Sequence, residues 1–481
     1  MLHKCTLVCA LGFALWTAPA AAEEIGGETE ALRSQVEELR QRDAEQKQLL
    51  DEFRSELDEL RAEQAGARVA SMPEVSAPAA NLWSSGSGRG AEVRLMDVSL
   101  DVLSAAGFST ERNEEIEVLQ GGGHDPRQRG FTLQQVELSF MGAVDPYFTG
   151  EAHLVYFMDV EGESRFEIEE AFLTTQRLPY GLQLEAGHFF TEFGRINPRH
   201  PHQWHWQDAP IINARLFGED GMRGPGVRLG WLAPLPWFSE IHVGLQNAKG
   251  ETMASFLASD EFFEERGIAG RPFVETDIKS KSDLVGLLRW VNAFDLCETV
   301  NSQLGISFLR GPNASGQDGR TTIFGADFVA KWQPLTSDRG WPFVLFEVEA
   351  MRRRYQVDGF RGTLDDGSVL NLADGDLTDW GTYAQLLWGF MRNWAVGLRG
   401  EYATGSGELF DSESIAFVAP PADPFRDKRY RIAPLLIRQL SEYSRLRLQY
   451  NYDEAEHLEN GAHSVWLGFE ISLGAHPAHA Y

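Results

Sequence analysis

The sequence predicts an all-β membrane protein, an antiparallel transmembrane β-barrel of about 16 strands preceded by a short α-helical coiled coil. Three observations carry this. Segments of alternating hydrophobicity run from about residue 92 to the C-terminus. The links between them are alternately long and polar, then short and tight. Beyond the N-terminal leader, no stretch reaches the ~18 apolar residues of a spanning helix. A chain that passes back and forth through a bilayer as a closed barrel has this rhythm, with long loops outside and short turns in the periplasm.

The elements follow in order. Lys4, the apolar run Leu7 to Trp16 and Ala20-Ala21-Ala22 make residues 1–22 a secretory signal peptide, cleaved before Glu23. In residues 28–65, Leu32, Val36, Leu39, Asp43, Gln46, Leu50, Phe53, Leu57, Leu60 and Gln64 fall at alternating four- and three-residue steps. This is a heptad seam with a polar patch at Asp43 and Gln46. A lone helix so polar is marginal, so the seam predicts self-association, with Leu32, Val36, Leu39, Leu50, Phe53, Leu57 and Leu60 as its apolar contacts. The competing reading is a solvated, partly helical spacer. Residues 66–91, rich in Ala, Ser, Pro and Gly, are a flexible linker.

Residues 92–481 are the barrel. In Arg445-Leu446-Arg447-Leu448-Gln449-Tyr450-Asn451-Tyr452 every even position is apolar or aromatic and every odd one polar. Val465, Leu467, Phe469, Ile471 and Leu473 repeat the pattern, and so do Phe324, Ala326, Phe328, Ala330 and Trp332. Strict period two over such lengths argues for strands with one apolar face. Strands are predicted at 92–107, 130–143, 147–159, 165–177, 181–190, 223–233, 237–248 and 282–295. The second half of the ring falls at 298–310, 320–333, 342–357, 379–390, 393–404, 428–440, 444–454 and 463–474. Long links at 108–129, 191–222, 249–281, 358–378 and 405–427 all fall outside if both termini are periplasmic. Glu161-Gly162-Glu163 is the exception, a short link on the long-loop side.

Composition agrees. The net charge of −28 argues against a nucleic-acid partner. Mean hydropathy is −0.29, which suits a barrel with a wet lumen because only alternate residues meet lipid. The 13 Trp, 30 Phe and 11 Tyr are enough for interfacial girdles. Cys297 alone remains after the leader, so no intrachain disulfide and no cysteine metal motif is expected. No Gly-x-Ser-x-Gly elbow, phosphate loop or His-Glu-x-x-His occurs, and no enzymatic activity is expected.

The barrel resembles the phosphate-selective porin O/P family of outer-membrane porins. The resemblance lies in Gly130-Phe131-Thr132-Leu133, Val136-Glu137-Leu138-Ser139-Phe140, the Asp145-Pro146-Tyr147-Phe148 turn, Ile168-Glu169-Glu170-Ala171-Phe172, and Gly187-His188-Phe189-Phe190 with Phe193-Gly194-Arg195. The stretch Asn197 to Trp206, with Gly218-Glu219-Asp220-Gly221 and Trp231-Leu232-Ala233-Pro234, resembles a subgroup named as zinc-regulated outer-membrane receptors. The chain departs from an energised receptor in having only coiled coil and linker where a plug would stand. The resemblance implies a porin allowing passive diffusion of small hydrophilic solutes or ions, homotrimeric, embedded in outer-membrane lipid and inserted by the barrel-assembly machinery. Passing phosphate needs a row of cations along the pore. Arg289, Arg352, Arg354, Arg399, Arg445 and Arg447 are candidates, while Glu137, Glu151, Glu185, Glu347, Glu349, Glu401 and Glu470 are at least as numerous, so the sign of selectivity stays open.

By analogy with 16-stranded porins, the link 191–222 is expected to fold inward and narrow the pore, with Arg195, Arg199, His200, His202, His205, Asp208, Glu219 and Asp220 at the constriction. Within it, His200, His202, His205 and Asp208 offer imidazoles and a carboxylate that suit Zn²⁺, the one cofactor considered. The competing reading is a packed loop anchored by Trp204 and Trp206. Phe469, Ile471, Leu473 and the terminal Tyr481 form the expected barrel-assembly signal.

Overall fold

The computed structural model describes residues 96–160, 162–363, 369–411, 416–418 and 423–474. The signal peptide, the seam from Leu32 to Leu60, the linker and Tyr481 lie outside the described residues. Among the described residues twenty strands form. The first eight are β1 Met96–Ser109, β2 Gly130–Ala143, β3 Phe148–Met158, β4 Ser164–Thr175, β5 Leu182–Phe190, β6 Arg223–Leu232, β7 Phe238–Asn247 and β8 Leu284–Cys297. Then come β9 Val300–Pro312, β10 Arg320–Trp332, β11 Phe343–Val357, β12 Phe360–Thr363, β13 Val369–Leu372 and β14 Gly375–Met391. The last are β15 Trp394–Ser406, β16 Leu409–Asp411, β17 Ala416–Val418, β18 Arg429–Ser441, β19 Ser444–Ala455 and β20 Ala462–Gly474.

Sixteen of these close one antiparallel barrel in the order β1 to β11, β14, β15, β18, β19 and β20. Closure is the β1–β20 pair, from Ser99 opposite Gly474 to Ser109 opposite Ser464. Closure leaves the ring no unpaired edge. The remaining strands are two hairpins, β12–β13 and β16–β17, carried in the long links. The short link between β3 and β4 is held by Asp159 N donating to Glu163 O at 3.1 Å and Gly162 N donating to Asp159 O at 3.0 Å.

The alternation places its apolar face outward. On β19, Leu448 is 46% exposed, while Arg447 and Gln449 are buried. On β20, Leu467 is 50% exposed and its neighbour Trp466 fully buried. Phe469 and Leu473 point outward with Leu467. A soluble fold buries its leucines; this ring displays them, which is stable only against hydrocarbon.

The long links hold structure that the alternation did not signal. Among the described residues three α-helices form: α1 Asn113–Leu119, α2 Ile211–Phe217 and α3 Asp260–Arg266. Each has seven residues, too few for a periodic stripe, and depends on tertiary packing. All seven residues of α2 are buried, so the helix lies inside the barrel. Phe193, Ile196, Ile212, Leu216, Phe217 and Met222 from the 191–222 segment join Met253, Phe256 and Leu257 in an apolar core against the inward side chains Val285, Leu287, Leu309, Ile323, Met351 and Tyr383. The lumen thus has an oily centre as well as charged walls.

Candidate functional site

The inward segment is built to enter the lumen. Gly194 has φ of 68°, and a Cβ there would collide with the Glu349 carboxylate, so glycine permits the turn away from the wall. Its N–H donates to Ser307 Oγ at 3.2 Å. Arg195 N donates to Glu349 Oε1 at 3.0 Å, and Arg195 Nε stands 3.5 Å from Glu347 Oε2.

From these contacts with β9 and β11 the segment returns to the wall beside β5, and later reaches β15 and β18. His200 Nδ1 lies 2.8 Å from Glu169 and Nε2 lies 2.9 Å from Glu170. Both partners are carboxylates, so both ring nitrogens donate and the ring is an imidazolium. Against the cost of burial, Glu137 and Glu169 hold its pKa well above the usual value. His202 Nδ1 meets Glu137 Oε2 at 2.9 Å, and His153 Nδ1 meets Glu137 Oε1 at 3.0 Å. Trp206 Nε1 donates to Ala433 O at 2.9 Å. Asp208 binds Arg431 at 2.9 Å and also Arg399, and it accepts from Gln449 and Asn451, each at 2.8 Å. These arginines outweigh burial and hold the Asp208 carboxyl down at about 2.

The structure therefore does not bring His200, His202, His205 and Asp208 into one cluster. Asp208 is committed to arginines on β15 and β18, and His200 has no lone pair left for an ion. His205 sits among Arg445, Arg199 and Arg195; burial, then these charges, push it down to about 3, so it is neutral. The guanidinium of Arg199 is lowered by burial and by Arg195. Glu219 is paired with Arg127 at 2.6 Å and with Arg266 at 3.3 Å.

The wall arginines also differ from the expected row. Arg352 and Arg354 point outward and Arg353 between them points in, bound to Asp379 at 2.7 Å. Period two decides this parity, and a one-residue step moves a charge from lumen to exterior. Arg289 pairs with Asp327 at 2.8 Å, and Arg445 and Arg447 pair with Glu470 at 2.8 and 3.1 Å.

Two cavities stand at the two ends of this packing. One of about 730 Å³ opens among the long loops, lined by ten carboxylates, among them Glu219, Asp220, Glu251, Glu261 and Glu265, and by three arginines. The other, about 660 Å³, opens at the short-turn end and is lined by His205, Lys331, Arg339, Arg392 and Arg445 against Glu442 and Glu470. Residues of the inward segment contribute to both. The acceptors Glu169 and Glu170, and the loop residue His124, were not singled out as site residues from the sequence. Glu169 and Glu170 stand side by side in a strand, and only their partners identify them.

No known family profile matches the chain. An uncharacterized protein of Aquifex aeolicus (strain VF5) is 30% identical over 379 residues, covering 75% of this chain and 73% of that protein. Similar solved structures include OprB of Pseudomonas putida (TM-score 0.48, 10% identity, 79% of this chain and 94% of that one). The outer membrane channel DcaP of Acinetobacter baumannii is another (TM-score 0.46, 11% identity, 79% and 97%). A third is an anion-selective porin from Comamonas acidovorans (TM-score 0.43, 9% identity, 79% and 99%).

Proposed function

This chain belongs to the same family as the uncharacterized Aquifex aeolicus protein, and we propose that it is an outer-membrane porin through which small hydrophilic solutes or ions diffuse passively. The observation that carries this reading is a pair of cavities lined by charged side chains, one at each end of a closed barrel with an apolar exterior, with residues of the 191–222 segment in both. A lipid-facing ring with charged walls and a cavity at each end suits passage gated by the segment between them. The segment acts as the constriction. Arg195, Arg199, His200, His202, His205 and Asp208 set the local field there, and Glu219 and Asp220 set it at the outer mouth.

Ten carboxylates against three arginines give the outer mouth a negative field. Such a mouth concentrates cations before they reach the constriction. The short-turn cavity has the opposite balance. Homotrimer formation through the 28–65 seam, and insertion by the assembly machinery through Phe469, Ile471, Leu473 and Tyr481, belong to the same proposal.

The test is single-channel current from the purified chain in a planar bilayer under a salt gradient. Stepwise conductance with a defined reversal potential is expected. Folded protein that never conducts overturns the reading.

A further inference from the structure

The geometry points to a binding site for a divalent first-row transition-metal cation on the floor of the outer cavity, held by His124, Glu167 and Asp220 with Glu169 behind them. His124 Nδ1 lies 3.1 Å from the carbonyl oxygen of Gln134. A carbonyl only accepts, so Nδ1 carries a proton, and in the neutral ring Nε2 turns its lone pair toward the cavity floor. The ring is only 4% exposed, yet Nε2 has no hydrogen-bond partner. It looks toward Glu167 Oε1 and Asp220 Oδ1, each 3.9 Å away. That is too far for a hydrogen bond. Glu167 Oε1 is itself buried without a hydrogen-bond partner. Acceptors turned toward one another across such a gap are unfavourable when buried. A cation between them removes the penalty.

The donor set and the spacing fit that cation. A carboxylate oxygen of Glu169 lies within 4.8 Å of the His124 and Glu167 ligand atoms. Ligand atoms at ~2.0–2.2 Å from a tetrahedral ion stand about 3.4 Å apart, so the two 3.9 Å pairs at His124 need close by only about 0.5 Å, with Glu169 the carboxylate that moves in to join them. One imidazole with two or three carboxylates suits Zn²⁺. The supporting contacts have the form a metal site needs. Gln134 Nε2 donates to the His124 carbonyl at 2.7 Å, so residue 134 clamps the histidine from both sides. Arg223 holds the other oxygen of Glu167 at 2.8 Å and leaves Oε1 turned inward. The Phe157 ring stands edge-on to the imidazole at 5.2 Å. Glu167 and Asp220 line the outer cavity, which gives the ion a route in.

The site uses none of the histidines of the 191–222 segment, and it holds whether or not the barrel conducts. The test is calorimetric titration of the full chain in detergent with Zn²⁺, in a His476→Ala/His479→Ala background that removes the tail imidazoles. Co²⁺ absorption reports the ligand geometry. One saturable site is expected, weakened at least tenfold by His124→Gln. Asp220→Asn should act similarly and keeps the test alive should the buried histidine variant misfold. Retention of the heat-modifiable gel shift monitors folding. His205→Gln should leave affinity within threefold. The proposal is overturned by a wild-type chain without saturable binding, by folded His124→Gln and Asp220→Asn variants that bind as wild type, or by loss confined to His205→Gln.

Discussion

Asp208 and Arg431 meet at 2.9 Å, and their bond ties the inward segment to β18, seven strands around the closed ring from β5, where the segment leaves the wall. Arg399 shares the same carboxylate from β15. Asp208→Ala removes one acceptor and leaves two buried guanidiniums short of a partner, an arrangement that costs about 3–5 kcal/mol. The expected outcome is a released segment, read as higher single-channel conductance and new protease cutting between residues 191 and 222. Unchanged conductance and cutting would mean that the apolar core alone holds the segment.

The His200 imidazolium sets a pH dependence. Its pKa in the folded chain is raised well above 6.5 by Glu137 and Glu169 despite burial. A raised imidazole contributes stability that is fully present below the free-imidazole value and is lost as pH rises through the folded value. The melting temperature followed by circular dichroism should therefore fall as pH climbs above 6.5. In His200→Gln the slope over the same range should be shallower. Parallel slopes in the two proteins would assign the dependence to another group.

The outer mouth sets the sign of ion preference in this reading. Replacing Glu251, Glu261 and Glu265, all of which line it, with Gln should move the reversal potential toward anions and reduce the effect of salt on cation flux, since such fields are screened within about 10 Å at 0.1 M salt. A reversal potential that stays put would locate selectivity deeper, at the 191–222 segment.

The exterior responds to charge and the wall tolerates it. Leu467 is 50% exposed on β20 and pairs with Leu448, which is 46% exposed on β19. Leu467→Arg at mid-strand should destabilise the barrel by about 2–4 kcal/mol. The readout is the urea midpoint of the heat-modifiable form in lipid. An equal midpoint would mean that this band does not face hydrocarbon.

Much of the ring was legible in the sequence because strand formation here depends on a local period. The 16 strands lie within a few residues of where alternation placed them, and β14 departs by starting early, at Gly375 instead of 379. The hairpins β12–β13 and β16–β17 and the three short helices were not legible, since three or four strand residues and seven helical ones give no resolvable repeat. The parity of Arg352, Arg353 and Arg354 was readable in principle: Tyr355 and Met351 are buried with Arg353, and the outward band continues through Arg352 and Arg354 at the barrel's rim. Three consecutive arginines hide the alternation that their neighbours display.

The candidate site followed another logic. Alternation along single strands determined, from sequence alone, which face of each strand is oily and how the chain threads back and forth. It could not say which carboxylate meets which cation, because those partners come from segments far apart in the chain. Asp208 reaches Arg399 across 191 positions and Glu137 reaches His202 across 65. Only closure of the ring brings such groups within hydrogen-bond distance. Local hydrophobic period sets the wall, because burial against lipid is decided residue by residue; long-range electrostatic pairing fills the lumen, because a buried charge is stable only where the fold supplies its counter-charge.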